Sequence, residues 1–136
     1  MIIFISCTKK KKDYKCMAKE MYSASAWFRG AYKYALTLQP SKIYILSAKY
    51  GLLEPTDMIE PYEKSLITEK DKEIRNWSKM VFLQMEKKQI NKDEEAIFIC
   101  GKNYRKYLKN FFTKSSAPFE HMAIGQQLSF FNQKAR

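Results

Sequence analysis

Three short apolar runs constrain the fold of this chain more than any other feature. They lie at Ile2–Ser6, Ile43–Leu46 and Ala96–Cys100. None of them alternates between apolar and polar residues, and such continuous runs are typical of strands buried on both faces of a parallel sheet. We therefore predict three central strands.

Amphipathic segments separate these strands. Apolar residues recur at helical spacing from Phe28 to Leu38, before Pro40, and again after Thr68, where the stripe runs from Ile74 to Met85. Two further helices are predicted, one from Tyr104 to near Ser115 and Ser116 and one after Gly125, and Pro118–Met122 is either a short fourth strand or an extended link. The alternating order predicts a single α/β domain over residues 1–136, with three layers and a mostly parallel sheet of three to four strands flanked by helices.

The charge distribution suits an anionic partner. The chain carries a formal net charge of +11, and its first and last thirds are basic whereas the middle is slightly acidic. A basic surface of this kind fits a nucleotide or a nucleic acid, although an ordinary solvated surface rich in lysine is an equal alternative. No apolar run approaches the roughly 20 residues that span a bilayer, so we expect a cytoplasmic protein without membrane contact.

The cysteines and glycines exclude several kinds of site. Cys7, Cys16 and Cys100 form no C-x-x-C pair, so the sequence predicts no disulfide framework and no metal site, and buried packing is the favoured role of the thiols. The lysine run 9–12 contains no glycine and is therefore no phosphate-binding loop of the known kinds. We predict no cofactor.

Polar residues follow each predicted strand. The clusters are Ser6–Lys10, Ser47–Gly51 and Gly101–Tyr104, and an ordered loop at Leu52–Leu66 is expected to cover them with Tyr62. Ligands of open α/β sheets bind beyond the carboxyl ends of the strands. The sequence therefore predicts a functional site where the three clusters meet.

Six motifs in the chain resemble those of a small family of bacterial and phage domains of unknown function. They are Ser-Cys followed by Lys (Ser6, Cys7, Lys10), Ala-x-Glu-x-Tyr-x-x-Ser (Ala18, Glu20, Tyr22, Ser25), Leu-Ser-Ala-Lys-Tyr-Gly-Leu-Leu (46–53), Pro-Tyr (61–62), Gly-x-x-Tyr (Gly101, Tyr104) and Ile-Gly (124–125). The resemblance covers nearly the whole chain. This family is distantly similar to α/β domains of nucleobase modification, including deazaguanine pathways, and to uracil-DNA-glycosylase-type sheets.

The first functional hypothesis is an enzyme of nucleotide or nucleobase chemistry that acts on an N-glycosidic bond. Glu20 is the candidate acid–base carboxylate, and Lys49 is a candidate Schiff-base nucleophile. Lys10 and Lys49 would hold phosphate, Tyr50, Tyr62 or Tyr104 would orient a base, and Ser47 would donate a hydrogen bond. The ligand-binding set predicted from the motifs is Ser6, Cys7, Lys10, Tyr22, Ser25, Ser47, Tyr50, Gly51, Tyr62, Gly101, Tyr104 and Gly125.

Two other hypotheses remain open on the sequence. In the second, the chain is a non-catalytic nucleic-acid-binding module with a basic groove and exposed aromatic side chains. In the third, the polar strand ends bond to one another, and Tyr50 and Tyr62 are packing residues.

Overall fold

A computed structural model describes residues 1–134 of the chain. It contains a central five-stranded sheet and a separate two-stranded ribbon. The strands are β1 (Ile2–Ser6), β2 (Cys16–Met17), β3 (Lys42–Ser47), β4 (Gly51–Leu53), β5 (Met58–Ile59), β6 (Ala96–Ile99) and β7 (Ser115–Ser116). The central sheet has the order β4-β3-β1-β6-β7, in which only β4 runs antiparallel to its neighbour, and β2 pairs with β5. The predicted mixed α/β architecture is confirmed.

The three predicted apolar runs form the three middle strands. Ile3 is opposite Ile43 on one side and opposite Ile97 on the other, which fixes the register of β1 between its neighbours. Phe4 is fully buried and stacks on Phe98 with a centroid distance of 4.9 Å. Both faces of the central strand are thus covered, as continuous apolar runs require.

Five helices flank the sheet: α1 (Ala18–Met21), α2 (Ala26–Thr37), α3 (Asp71–Lys87), α4 (Lys102–Arg105) and α5 (Ile124–Lys134). The chain runs from β1 through α2 to β3, and then from β3 through α3 to β6 on the opposite side of β1. Because both parallel crossovers are right-handed by rule, this reversal of direction puts α2 and α3 on opposite faces. α5 packs against α2, where Trp27 meets Phe131 edge-on at 6.3 Å.

The sequence undercounted the strands of the sheet. It predicted three to four, and the two short edge strands β4 and β7 bring the number to five. Of the two alternatives for 118–122, the short fourth strand is wrong, since those residues form turns and the strand lies just before them at Ser115–Ser116. A two-residue edge strand leaves no periodic signal in the sequence.

Two helix predictions needed correction. The helix expected from Tyr104 to near Ser115 and Ser116 is broken into α4 and a 3-10 turn at Leu108–Phe111. The chain then becomes extended at Phe112, whose ring enters the core, and Ser115–Ser116 form β7 instead of the end of a helix. α3 begins at Asp71 rather than Thr68. The Asn103 amide accounts for this delay, because its Nδ2 donates to the carbonyls of Leu66 and Ile67 and holds them in a turn.

Candidate functional site

A cavity of about 530 Å³ opens at the carboxyl ends of β1 and β6. These neighbouring strands mark the point at which the chain reverses its direction across the sheet. In open α/β sheets that switch point is where ligands bind, and the volume lies within the usual range for small-molecule sites. The fold itself therefore singles out this cavity.

Cationic side chains line one part of the cavity. Lys9 comes from the loop after β1, and Lys102 and Arg105 come from α4. Arg105 is held in place: its Nη1 donates to the Cys100 carbonyl at 2.6 Å, and its Nη2 lies 3.6 Å from the Glu120 carboxylate. Lys9 and Lys102 make no ion pair within residues 1–134, so both ammonium groups are available to an anionic ligand.

Aromatic side chains form another wall. Trp27 from α2 and Phe119 from the turn before α5 both line the cavity, and Gln127 joins them. The Trp27 Nε1 donates to Gln127 Oε1 at 2.9 Å, while the Gln127 Nε2 donates to the carbonyls of Met122 and Phe119 at 2.9 and 3.3 Å. Since its amide is fully used in these bonds, Gln127 positions the wall.

The polar floor of the cavity is formed by the end of the central strand. Ser6 is only 5% exposed, lines the cavity, and has no side-chain hydrogen-bond partner within residues 1–134. Cys7 is also buried, and its Sγ forms a hydrogen bond with the Tyr104 hydroxyl at 3.2 Å and accepts the Ala48 N–H at 3.4 Å. The Ser6 hydroxyl is thus a free polar contact beside a thiol that is already engaged.

A second polar cluster lies at the end of β3. The hydroxyls of Tyr22 and Tyr62 share a hydrogen bond of 2.7 Å, and Ser47 donates to the Tyr62 oxygen at 2.8 Å. The Ser47 Oγ also accepts the Tyr50 N–H at 3.0 Å. The Lys11 ammonium group lies 4.6 Å from the centroid of the Tyr62 ring. Tyr22, Ser47, Tyr50 and Tyr62 are therefore joined by hydrogen bonds to one another. Mutual bonding of this kind is what the third hypothesis expects of these polar groups.

The tyrosines around Cys7 are held in the neutral form. Burial raises the pKa of Tyr22, Tyr62 and Tyr104 well above the ordinary value, and the neighbouring Cys7 thiol acts in the same direction. These hydroxyls can donate and accept hydrogen bonds but do not supply a base near neutral pH. Burial also lowers the pKa of Lys11.

The predicted site residues fall into three groups. Ser6, Cys7, Gly101 and Tyr104 line the cavity. A second group forms the hydroxyl cluster beside it, and the remaining residues lie elsewhere. The second group comprises Tyr22, Ser47, Tyr50 and Tyr62; the third comprises Lys10, Glu20, Ser25, Lys49, Gly51 and Gly125.

The two predicted catalytic residues do not line the cavity. Glu20 on α1 accepts a hydrogen bond from Tyr14 at 3.2 Å. Lys49 lines a separate depression of about 270 Å³ with Lys64, Glu69 and Glu73, and its ammonium group lies 5.2 Å from the Tyr50 ring.

Four predicted ligand-binding residues have other surroundings in the structure. Ser25 is the N-cap of α2 and accepts the Phe28 N–H at 3.2 Å. Gly51 adopts a φ of +75°, and Gly125 lies exposed in the first turn of α5. Lys10 is exposed in the loop that also carries Lys9.

The predicted site residues do not include five residues that line the cavity: Lys9, Trp27, Lys102, Arg105 and Glu120. Lys9 and Lys102 lie inside the predicted Ser6–Lys10 and Gly101–Tyr104 clusters, and Arg105 directly follows the second cluster, so a signal was present for these three. Trp27 lies in the sequence beside the apolar stripe of the Phe28–Leu38 helix, where a core role is the simpler interpretation. Glu120 lies in the segment Pro118–Met122, which is predicted as a strand or a link and carries no signal for a site.

Fold and cavity together define an α/β domain with a cavity at the topological switch point. The family model described as "Family of unknown function (DUF6884)" matches residues 2–133, and the chain belongs to this family. No curated protein and no solved structure matches the chain significantly. Within residues 1–134, no helix has the length and apolar character needed to cross a membrane, and no group of three or more His, Cys, Asp and Glu side chains is arranged to hold a metal ion.

Proposed function

We propose that the protein is an enzyme that acts on the N-glycosidic bond of a nucleotide held in the switch-point cavity, either free or within a nucleic acid. One observation carries the proposal: the cavity combines unpaired cations with aromatic walls and a carboxylate. Cations suit the phosphate of a nucleotide, and aromatic faces suit its planar base. The distant similarity of the family that the motifs resemble to nucleobase-modification domains supports the same choice.

The phosphate would bind between α4 and the loop after β1. Arg105 is pre-oriented by the Cys100 carbonyl, and the Arg fork matches phosphate oxygens geometrically. Lys9 and Lys102 supply compact positive charges on the same cavity. Because these two ammonium groups have no carboxylate partner within residues 1–134, binding an anion breaks no ion pair of theirs.

The base would lie against Trp27 and Phe119, with the Ser6 hydroxyl as a polar contact. Burial of an aromatic surface against aromatic side chains is worth about 0.5–1.5 kcal/mol beyond the area term. Trp27 is fixed by Gln127, so little side-chain freedom is lost when a base packs there.

Glu120 is the carboxylate of the cavity and takes the acid–base role in this proposal. Water attacks the anomeric carbon and gives its proton to the Glu120 carboxylate, while the C–N bond breaks and its electron pair leaves with the base. The departing nitrogen is protonated from solvent. A carboxylate near the anomeric carbon also stabilises the positive charge that develops there. Neither Glu20 nor Lys49 lines the cavity, so the mechanism assigns neither of them a step.

Binding is tested with the nucleoside monophosphates of the common bases and of uracil and hypoxanthine, by calorimetry and Trp27 fluorescence. We expect Lys102→Ala to weaken the best of these about tenfold, because one charge-assisted phosphate contact is lost. Lys33→Ala is the matched control, since Lys33 is exposed on α2 and lies outside the cavity. Absence of binding, or equal effects of the two variants, would contradict the nucleotide site.

Catalysis is tested by chromatographic detection of free base released from nucleotides and from oligonucleotides. Glu120→Gln should retain nucleotide affinity within about twofold and lose base release by about 100-fold or more, as removal of a general base does. Glu86→Gln on the exposed face of α3 is the control. Undiminished release by Glu120→Gln would overturn the assignment of the carboxylate.

A non-catalytic nucleic-acid-binding module is the alternative, and the lysine run 9–12 favours it. Lys9 and Lys10 are exposed, and neither forms an ion pair within residues 1–134. Such a module would bind oligonucleotides with a steep salt dependence and release no base. Its affinity would also fall gradually as single lysines are removed, whereas the enzyme would lose activity abruptly at Glu120.

A further inference from the structure

We propose that the nucleotide enters the cavity as part of a single strand, and that Ile67 and Ile124 contact the bases on either side of it. The inference rests on the nucleotide site proposed above. It is based on two large apolar side chains that are exposed to solvent at the rim of a cavity with cationic lining. We call Ile67 and Ile124 the apolar lips.

The lips come from separate segments and both line the cavity. Ile67 is 74% exposed and belongs to the loop before α3, while Ile124 is 62% exposed and begins α5. Burying an aliphatic side chain of this size against another apolar surface is favourable, because it removes that side chain from water. The free energy of that burial is unused in the unliganded protein, and a mononucleotide enclosed in the cavity need not reach the outer faces of the lips.

Ile67 is displayed by a turn that is firmly held. The Asn103 Nδ2 donates to the Ile67 carbonyl at 3.1 Å and to the Leu66 carbonyl at 2.7 Å. Leu66 itself is buried, and its N–H donates to the Tyr104 hydroxyl at 3.4 Å. The preceding residue is thus anchored in the core beside the cavity, and the backbone fixes Ile67 in its exposed position.

Ile124 is fixed in a similar way. The Gln126 Oε1 accepts the Ala123 N–H at 2.9 Å, which secures the start of α5. Gln127, one turn further, joins this helix to Trp27. Two apolar side chains on two anchored segments therefore border one opening, and both are available before any ligand binds.

A single strand fits these features better than a free nucleotide or a duplex. Its bases are unstacked at little cost and offer flat apolar faces to the lips, and its phosphates follow the cations of the rim. Lys10 lies exposed next to Lys9 and extends the positive surface beyond the cavity. A duplex would first have to lose pairing and stacking at the bound nucleotide, and this weakens its binding relative to a single strand.

The test compares the best-binding mononucleotide with a short single-stranded oligonucleotide that carries the same nucleotide at its centre. Fluorescence anisotropy and competition at fixed ionic strength give both affinities. Ile67→Ala and Ile124→Ala should each weaken the oligonucleotide about fivefold and change the mononucleotide less than twofold, because the lips contact only the flanking bases. Leu83→Ala is the matched control, since Leu83 is 68% exposed on α3 and lies outside the cavity.

The possible results separate the two proposals. If no mononucleotide binds, the nucleotide site itself fails. If mononucleotides bind but the oligonucleotide does not compete, or both lip variants behave like Leu83→Ala, the single-strand inference is overturned while the site stands. Tighter binding of the matched duplex than of the single strand would also overturn it.

Discussion

Gly51→Ala is expected to lower the free energy of unfolding by about 4 kcal/mol. Gly51 has a φ of +75°, a backbone conformation that costs a residue with a Cβ about 1–2 kcal/mol. The added Cβ would also lie 2.3 Å from the Gln84 Oε1 and 2.8 Å from the Met80 Cε, so both side chains must move. Backbone strain in the alanine variant and displacement of the Gln84 and Met80 side chains therefore both lower the free energy of unfolding.

The displacement is costly because Gln84 bridges the backbone around the glycine. Its Oε1 accepts the Leu52 N–H at 2.8 Å, and its Nε2 donates to the Tyr50 carbonyl at 3.0 Å. Leaving a buried backbone group unpaired costs about 1–3 kcal/mol. Thermal unfolding followed by circular dichroism should show a decrease in Tm of about 10–15 °C.

Gly125→Ala is the control for this experiment. Gly125 lies in the first turn of α5, and a Cβ there would meet no atom within 4 Å. Alanine in a helix is more stable than glycine by up to about 1 kcal/mol, so this variant should be unchanged or slightly stabilised. If Gly51→Ala were as stable as Gly125→Ala but bound ligand less well, the original prediction of Gly51 as a ligand-binding residue would be favoured over a structural role.

The central sheet could be predicted because its middle strands are long enough to leave a composition signal. Ile2–Ser6, Lys42–Ser47 and Ala96–Ile99 are continuous apolar runs that no other common element explains as well. The edge strand Ser115–Ser116 has two exposed serines and exists only because Ala96 and Ile97 provide a partner. This strand forms through pairing with β6, and the local sequence therefore gives no signal for it.

The location of the candidate site could be predicted from the same strands, but the full set of residues that line it could not. Strand ends brought Ser6, Cys7, Gly101 and Tyr104 to one cavity, as their positions in the chain implied. Glu120 arrives from a turn about twenty residues beyond β6, where no periodicity marks it. Lys49 follows β3, which lies on the other side of β1 from β6, and it lines a separate depression.

The pH dependence of stability should show a steep alkaline limb. Burial raises the pKa of Tyr22, Tyr62 and Tyr104 in the folded protein, whereas all three titrate near pH 10 when the chain is unfolded. Below that pH both states are protonated and the contribution of these groups to stability is complete. Above it the unfolded state loses protons that the folded state keeps, so the free energy of unfolding falls.

Each such group costs about 1.4 kcal/mol of stability per pH unit, and three together cost about 4 kcal/mol per unit. Burial also raises the pKa of Cys100 to about 12, which adds a loss in the same direction from its unfolded pKa upward. A protein of ordinary stability, about 5–15 kcal/mol, should therefore unfold within about one to three pH units above pH 10. Circular dichroism and tyrosinate absorbance measured on the same samples report unfolding and ionisation together.

Absorbance can count the tyrosines involved, because the chain has nine. We expect the three buried hydroxyls to ionise only as the ellipticity is lost, and all nine to titrate near pH 10 in denaturant. Tyr62→Phe should reduce the alkaline slope by about 1.4 kcal/mol per pH unit, even though it also lowers stability at pH 7 through its lost bonds to Ser47 and Tyr22. Burial and the neighbouring Glu20 carboxylate also raise the pKa of Tyr14, but its side chain is half exposed, so Tyr14→Phe should reduce the slope less than Tyr62→Phe does. Ionisation of all nine tyrosines near pH 10 in a protein that stays folded would show that the hydroxyls around Cys7 are open to water.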